Sequence, residues 1–188
     1  PIYHNDLEGD YGINIVAVGY DYTEPEKDVG SVERVEASAT NPKKIAMYSA
    51  TDKTLYFENI SNTLTVGDTY NDKVVSYLFI GFEKYDFTRS TVPWYPIRTE
   101  IKNVVFNTTI SPVSTAYWFS EFFVLENLDL SRLNTTNITN MKYMFAETGM
   151  NADRLNLNLG PNFDTSNVKN MAYMFYRTGR NNSYFELN

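Results

Sequence analysis

The sequence predicts an α+β fold in which a mostly β N-terminal region leads into a short solenoid of repeats. Three observations predict it. Apolar and polar residues alternate in several segments before residue 110, which is typical of strands. From Ser114 onward the chain repeats one pattern, at spacings of 26 and 30 residues. Inside the repeats, apolar residues recur at i, i+3 and i+4, which favours a short helical turn.

The N-terminal region contains a series of predicted strands. Alternation predicts strands at about 13–22 and 31–40. Segment 44–60 has two apolar runs around a polar turn, which predicts a β-hairpin. Apolar runs at 74–82 and 101–106 predict two further strands.

Aligned aromatic residues define the repeats. Equivalent positions are taken by Tyr117, Tyr143 and Tyr173 and, two residues later, by Phe119, Phe145 and Phe175. The second and third units also share an L-x-L stretch, at 128–130 and 157–159, which places two leucines on one side of a short strand. A period of about 20–30 residues with such a strand is typical of a leucine-rich solenoid. We therefore expect two to three leucine-rich-repeat-like units over 114–188.

These patterns divide the chain into three regions. Residues 1–43 form an N-terminal β segment without an assigned role, residues 44–113 a β-rich capping region, and residues 114–188 the repeats. Two or three units bury little apolar surface by themselves. We therefore expect the capping region to cover the first unit around 117–119.

Composition excludes several classes of function. The 188 residues carry 16 basic and 23 acidic side chains, a net charge of -7, with no basic cluster that would suit nucleic acid. Cysteine is absent and His4 is the only histidine, which excludes thiolate zinc sites, disulfides and two-histidine metal sites within this chain. The sequence has no run of about 18 apolar residues, so it predicts no membrane span. Because no catalytic or cofactor motif is recognisable, we predict a protein that is not an enzyme and holds no cofactor or metal.

Two strings within the repeats carry a family resemblance. They are LDLSRLNTTNITNMKYMF at 128–145 and NFDTSNVKNMAYMF at 162–175. Both resemble the repeat of BspA-type leucine-rich-repeat surface proteins, which is also seen in Mycoplasma-type lipoproteins. The resemblance implies a bacterial protein that is secreted or held at the cell surface and acts as an adhesin. The implied partner is a host extracellular or microbial surface protein or glycan. Because Pro1 cannot be an initiator residue, we expect a longer precursor, with its export signal and anchor outside this chain.

The resemblance also implies where partners would bind. In leucine-rich repeats, the positions that flank the strand leucines line a concave face and contact partners. The corresponding residues here are Asn127, Asp129, Ser131, Asn156 and Asn158. The alternative is that these positions are simply solvated.

Trp94 and Tyr95 define a second candidate site. They lie in a proline-flanked loop, and exposed rings of this kind stack on sugars, so the alternative function is a carbohydrate-binding module. The competing interpretation is a hydrophobic plug that caps the first repeat. A third hypothesis is a hydrolase that uses N-terminal carboxylates, although nothing in the sequence pairs two of them in one cleft.

Overall fold

Strands dominate the structure. The computed structural model describes residues 15–17 and 43–188. The strands are β1 (Ile15–Ala17), β2 (Lys43–Ser49), β3 (Thr54–Ile60), β4 (Thr69–Tyr70), β5 (Lys73–Val74), β6 (Tyr77–Ile80), β7 (Asn103–Phe106), β8 (Asn127–Asp129), β9 (Arg154–Asn158) and β10 (Tyr184–Leu187). Short 3₁₀ segments span Phe82–Lys84, Arg89–Thr91 and Tyr95–Ile97. The strand predicted at 31–40 lies outside the described residues, as does most of the one predicted at 13–22.

One mixed sheet runs through these residues. Its strand order is β1-β6-β2-β3-β7-β8-β9-β10, and β4 pairs with β5 separately. In this order, the neighbours β1, β6, β2 and β3 pair antiparallel. The neighbours β3, β7, β8, β9 and β10 pair parallel. The predicted hairpin at 44–60 is confirmed by the antiparallel pair of β2 and β3. The run at 74–82 is divided, because β5 ends at Val74 and β6 begins at Tyr77.

Alternation along the strands puts a large apolar cluster on one face of the sheet, here called the inner face. Phe57 is fully buried there and stacks on Phe106, with ring centroids 4.2 Å apart. The same cluster continues through Leu128 and Leu157 to the turn segments of the repeats, including Met144. Because neighbouring residues of a strand point to opposite faces, the residues between them lie on the other side, here called the outer face.

A smaller apolar cluster covers only part of the outer face. It lies over β2, β3 and β6, where residues 64–75 fold back onto the sheet. Its buried members are Ile45, Met47, Ile60, Leu64, Val75, Leu78 and Ile80. The outer face of β7 to β9 has no members in this cluster, so it differs in character from the first half of the sheet.

Equivalent residues of successive repeats stack directly on one another. The ring centroids of Tyr117 and Tyr143 are 5.1 Å apart, and those of Tyr143 and Tyr173 are 4.9 Å apart. The backbone N–H of Tyr117 donates to the carbonyl oxygen of Lys142, and that of Tyr143 donates to Ala172, both at 3.0 Å. The alignment of the repeats made from the sequence is therefore confirmed.

The predicted fold class, α+β with a leucine-rich-repeat-like solenoid, is wrong. Residues 15–17 and 43–188 contain no α-helix, and the strands of the repeats continue the N-terminal sheet instead of forming a solenoid after it. Segment 141–145, where a helical turn was expected, consists of tight turns. Tyr143 has a φ of 55° and Glu147 a φ of 60°, left-handed conformations that interrupt a right-handed helix. Backbone N–H groups here bond to the neighbouring unit, whereas those of a helix bond within their own segment.

Candidate functional site

The parallel strands of the repeats bring four of the predicted site residues together on the outer face. Leu128 and Leu157 point to the inner face, so the residues on either side of them point outward. The register pairs Asn127 with Asn156 and Asp129 with Asn158. These four side chains therefore form two adjacent rows across β8 and β9.

The first row extends beyond these two strands. Asn103 on β7 pairs with Asn127, and Glu186 on β10 pairs with Asn156. The side-chain Nδ2 of Asn127 donates to Oδ1 of Asn103 at 2.9 Å. Since neighbouring strands are about 4.7–4.9 Å apart, the row places one polar side chain at each such step across the sheet.

The second row is shorter and contains a carboxylate. Asn158 donates from Nδ2 to Oδ1 of Asp129 at 3.1 Å. The same Asp129 oxygen accepts the backbone N–H of Ser131 at 2.9 Å. Asn158 in turn accepts the N–H of Gly160 at 3.0 Å. Asp129 and Asn158 therefore also stabilise the turns that follow their strands.

A groove of about 330 Å³ follows these rows. It is lined by Thr54, Tyr56, Asn103, Val104, Val105, Asn127, Leu128, Asp129, Asn156 and Asn158. Among these residues none is basic, and Asp129 carries the only carboxylate. Oδ1 of Asn156 is buried and has no hydrogen-bond partner within the described residues. A buried acceptor of this kind is costly unless a donor reaches it.

A polar cluster surrounds Tyr56 at the β3 end of the groove. The hydroxyl of Tyr56 donates to Asp52 at 2.6 Å, and Nζ of Lys73 lies 3.0 Å from the same carboxylate oxygen. Burial alone would raise the pKa of Asp52, but the hydrogen bonds from Tyr56 and Lys73 outweigh it and lower the pKa. Burial, followed by the hydrogen bond to Asp52, raises the pKa of Tyr56. Lys73 is therefore paired and Tyr56 keeps its proton.

Ser131 does not join the groove. It lies beyond the end of β8 and lines a separate polar depression with residues such as Asn134 and Asn162. The chain of the third unit passes very close to it at Gly160, which has a φ of 76°. A Cβ at Gly160 would lie 2.5 Å from the Cα of Ser131, so only glycine fits there.

Three polar groove residues were absent from the predicted site: Thr54, Tyr56 and Asn103. Asn103 could have been found, because it precedes Val104 as Asn127 precedes Leu128. Tyr56 and Thr54 could not, because they reach the groove through the parallel pairing of β3 with β7, which joins segments far apart in the chain.

The expectation that Trp94 is exposed is wrong. Its side chain is completely buried, and its Nε1 donates to the carbonyl oxygen of Trp118 at 2.5 Å. Its ring meets those of Trp118 and Phe57 edge to face at 5.2 and 5.3 Å. Tyr95 is half-buried, and the guanidinium of Arg98 lies 3.7 Å from its ring centroid. Trp94 is therefore the hydrophobic plug at the first repeat, the competing interpretation of this loop.

Two other kinds of feature are absent from the described residues. Within 15–17 and 43–188, no helix has the length and apolar character needed to cross a membrane. In the same part of the chain, no group of three or more acidic or histidine side chains is arranged to hold a metal ion.

Within the described residues, the protein is all-β, with stacked repeat units and an open row of amides on the outer face. Residues 100–186 match the family model described as "Mycoplasma protein of unknown function, DUF285". The match is slightly shorter than half of the chain and covers the segment from β7 into β10. No curated protein and no solved structure matches the chain.

Proposed function

We propose that this protein is a non-catalytic interaction module, secreted or held at the bacterial cell surface, and that it binds a host or microbial macromolecule through the groove on its outer face. The observation that carries the proposal is the row of asparagine amides. Three neighbouring strands present Asn103, Asn127 and Asn156 in register on a rigid sheet. The matched family segment contains all three, and the BspA-type resemblance favours an adhesin.

The chemistry of the groove supports binding over catalysis. Its one carboxylate, Asp129, accepts hydrogen bonds from Asn158 and from the backbone of Ser131. A glycosidase needs two carboxyl groups facing each other across the bond that is cleaved. The groove offers amides and a single committed carboxylate, which suits recognition of a polar partner.

A carbohydrate-binding site built on Trp94 and Tyr95 is not favoured. Sugar stacking needs an open ring face, and Trp94 has none because Trp118 and Phe57 pack against it. Tyr95 has one face occupied by Arg98.

Adhesion assays on immobilised extracellular-matrix proteins and mucins test the proposal. The test variant replaces Asn127, Asp129, Asn156 and Asn158 by alanine and should lose binding. Because Asp129 and Asn158 also stabilise turns, a double variant, Asn127→Ala with Asn156→Ala, is measured beside it. Thermal melts establish that both variants are folded.

Two controls complete the assay. A triple variant, Asn62→Ala, Asp153→Ala and Asn181→Ala, removes exposed polar side chains outside the groove and should bind like the wild type. His4→Ala and added chelator should also leave binding unchanged. Full binding by both groove variants would show that the site lies elsewhere, and chelator-sensitive turnover of a substrate would contradict the non-enzymatic proposal.

A further inference from the structure

We infer that the groove binds an unbranched, uncharged glycan that lies across the strands, with about one sugar ring over each strand. The inference rests on the proposed function and names the ligand class of that same site. Spacing, hydrogen-bond chemistry and charge carry it.

The spacing of the amide row favours a sugar polymer over a peptide. Asn103, Asn127 and Asn156 follow one another at the strand separation, about 4.7–4.9 Å. A β-linked chain of pyranose rings advances by nearly the same length per ring and carries polar groups along both of its edges, so even alternately flipped rings bring one such group to each amide. An extended peptide presents side chains on one side only every second residue, about 6.6–6.8 Å apart, and loses register with the row.

Hydrogen-bond chemistry favours hydroxyl groups as the partners of the row. Each asparagine amide offers two donor hydrogens and an acceptor oxygen, and a hydroxyl both donates and accepts. The bond from Asn127 to Asn103 uses one hydrogen and one oxygen of the row. The buried Oδ1 of Asn156 still lacks a donor among the described residues, and a sugar hydroxyl would supply one.

The charge of the groove favours a neutral ligand. Its lining includes no basic residue, and two lysines near it, Lys73 and Lys102, are already paired. Lys73 contacts Asp52 at 3.0 Å, and Lys102 contacts Glu126 at 2.7 Å. Asp129 would repel an anionic polymer, such as nucleic acid or a sulfated glycan.

The β3 end of the groove adds an apolar contact. Tyr56 lines this end and is held in place by its hydrogen bond to Asp52. An aromatic ring with a fixed polar tip offers its body as a surface for the carbon-bound hydrogens of a sugar. A glycan that begins at Tyr56 and crosses β7, β8 and β9 would contact the groove with about four rings. The twist of the sheet prevents a longer glycan from staying in register with the strands.

Isothermal titration calorimetry of the whole chain with a panel of oligosaccharides tests this inference. The neutral members are cellohexaose, chitohexaose, mannohexaose and xylohexaose, and a heparin hexasaccharide is the anionic member. We expect at least one neutral series to bind, with affinity that rises from the disaccharide to the tetrasaccharide and then levels off. Heparin should not bind.

Substitutions place the binding in the groove. Asn156→Ala and Asn127→Ala should each weaken the bound series by about fivefold to tenfold, the loss expected for one hydrogen bond to a ligand. Asn181→Ala is the matched control, an exposed asparagine outside the groove, and should change nothing.

The outcomes separate this inference from the proposed function. If matrix proteins or mucins bind through the groove but no neutral hexasaccharide binds at millimolar concentration, the glycan inference is overturned and the proposed function stands. If a glycan binds and Asn127→Ala and Asn156→Ala leave its affinity unchanged, the groove is not its site and the inference is overturned. If no macromolecule responds to the groove variants, both fail.

Discussion

The two halves of the sheet differ in what covers their outer face. Around β2, β3 and β6, residues 64–75 bury that face under apolar side chains such as Met47 and Leu78. From β7 to β9 the same face is an open groove lined by amides. The first half is therefore packed on both sides and the second on one side only.

Under the proposed function, this difference separates stability from recognition within one sheet. The second half draws its stability from the inner face and from its attachment to the first half at Trp94 and Trp118. Its outer face contributes little to the apolar core, so this face can present polar groups to a partner.

The largest effect is expected from removing the first half of the sheet together with β7. A fragment of residues 120–188 keeps β8 to β10 but loses Trp118 and the plug formed by Trp94. Repeat units bury their apolar face only against neighbours, so the fragment should be unfolded or aggregated. Circular dichroism during heating checks this, with the whole chain as the reference. A cooperative melt of the fragment would mean that the second half needs no cap.

A substitution inside the stacked repeats should have the next largest effect. Phe145 is completely buried between Phe119 and Phe175, so Phe145→Ala should lower the free energy of unfolding by about 3–5 kcal/mol. Phe175→Ala is the matched control, because that ring is 41% exposed and should cost clearly less. Urea denaturation measures both. A loss under about 1 kcal/mol for Phe145→Ala would contradict the stacking.

On the covered part of the outer face, an apolar truncation should also be costly. Leu78 is 2% exposed, and Leu78→Ala should lower the free energy of unfolding by about 2–5 kcal/mol. On the open part, the double variant Asn127→Ala with Asn156→Ala should cost less than about 1 kcal/mol. Similar losses at both places, again measured with urea, would remove the distinction between the two halves.

A smaller, pH-dependent effect is expected at the junction of the halves. Glu121 is 7% exposed at its side chain, and Arg89 and Arg98 donate hydrogen bonds to it, the latter at 3.2 Å. Burial alone would raise the pKa of Glu121, but these bonds outweigh it and lower the pKa below the ordinary 4.5. A lowered carboxyl pKa adds stability above the unfolded-state value, and that stability is lost as the pH falls through the folded value.

Glu121→Gln should therefore reduce the loss of stability on acidification below about pH 4.5. Urea denaturation of wild type and variant from pH 3 to pH 7 measures the difference between them. Glu147→Gln serves as the control, because among the described residues Glu147 pairs with only one arginine, Arg177, whose side chain is 43% exposed. Parallel pH profiles for wild type and Glu121→Gln would show that the arginine pair adds no such stability.

Much of the local structure could be predicted from the sequence. The hairpin of β2 and β3 follows from two apolar runs around a polar turn, and the stacking of Tyr117, Tyr143 and Tyr173 follows from their alignment. The positions of Asn127 and Asn156 beside each other follow from the same alignment. Their role in binding stays a prediction.

The remaining features depend on contacts that no local pattern contains. Apolar residues at i, i+3 and i+4 suit a helix, but they also suit the turns seen here, where Tyr143 takes a left-handed conformation and its N–H bonds to the next unit. The pairing of β3 with β7 joins distant segments and turns two expected regions into one sheet. Trp94 follows a proline, which favours an exposed loop, yet distant aromatic rings surround it.

The most direct test of the account is an NMR titration of the isotope-labelled protein with mucin. The NMR signals of the side-chain NH₂ groups of Asn103, Asn127 and Asn156 are sensitive to binding in the groove, because these residues form its row of amides. These three signals should shift or broaden on addition of mucin, while the side-chain signal of Asn181 should not. Changes confined to residues outside the groove would contradict the claim that the open half of the sheet is the recognition surface.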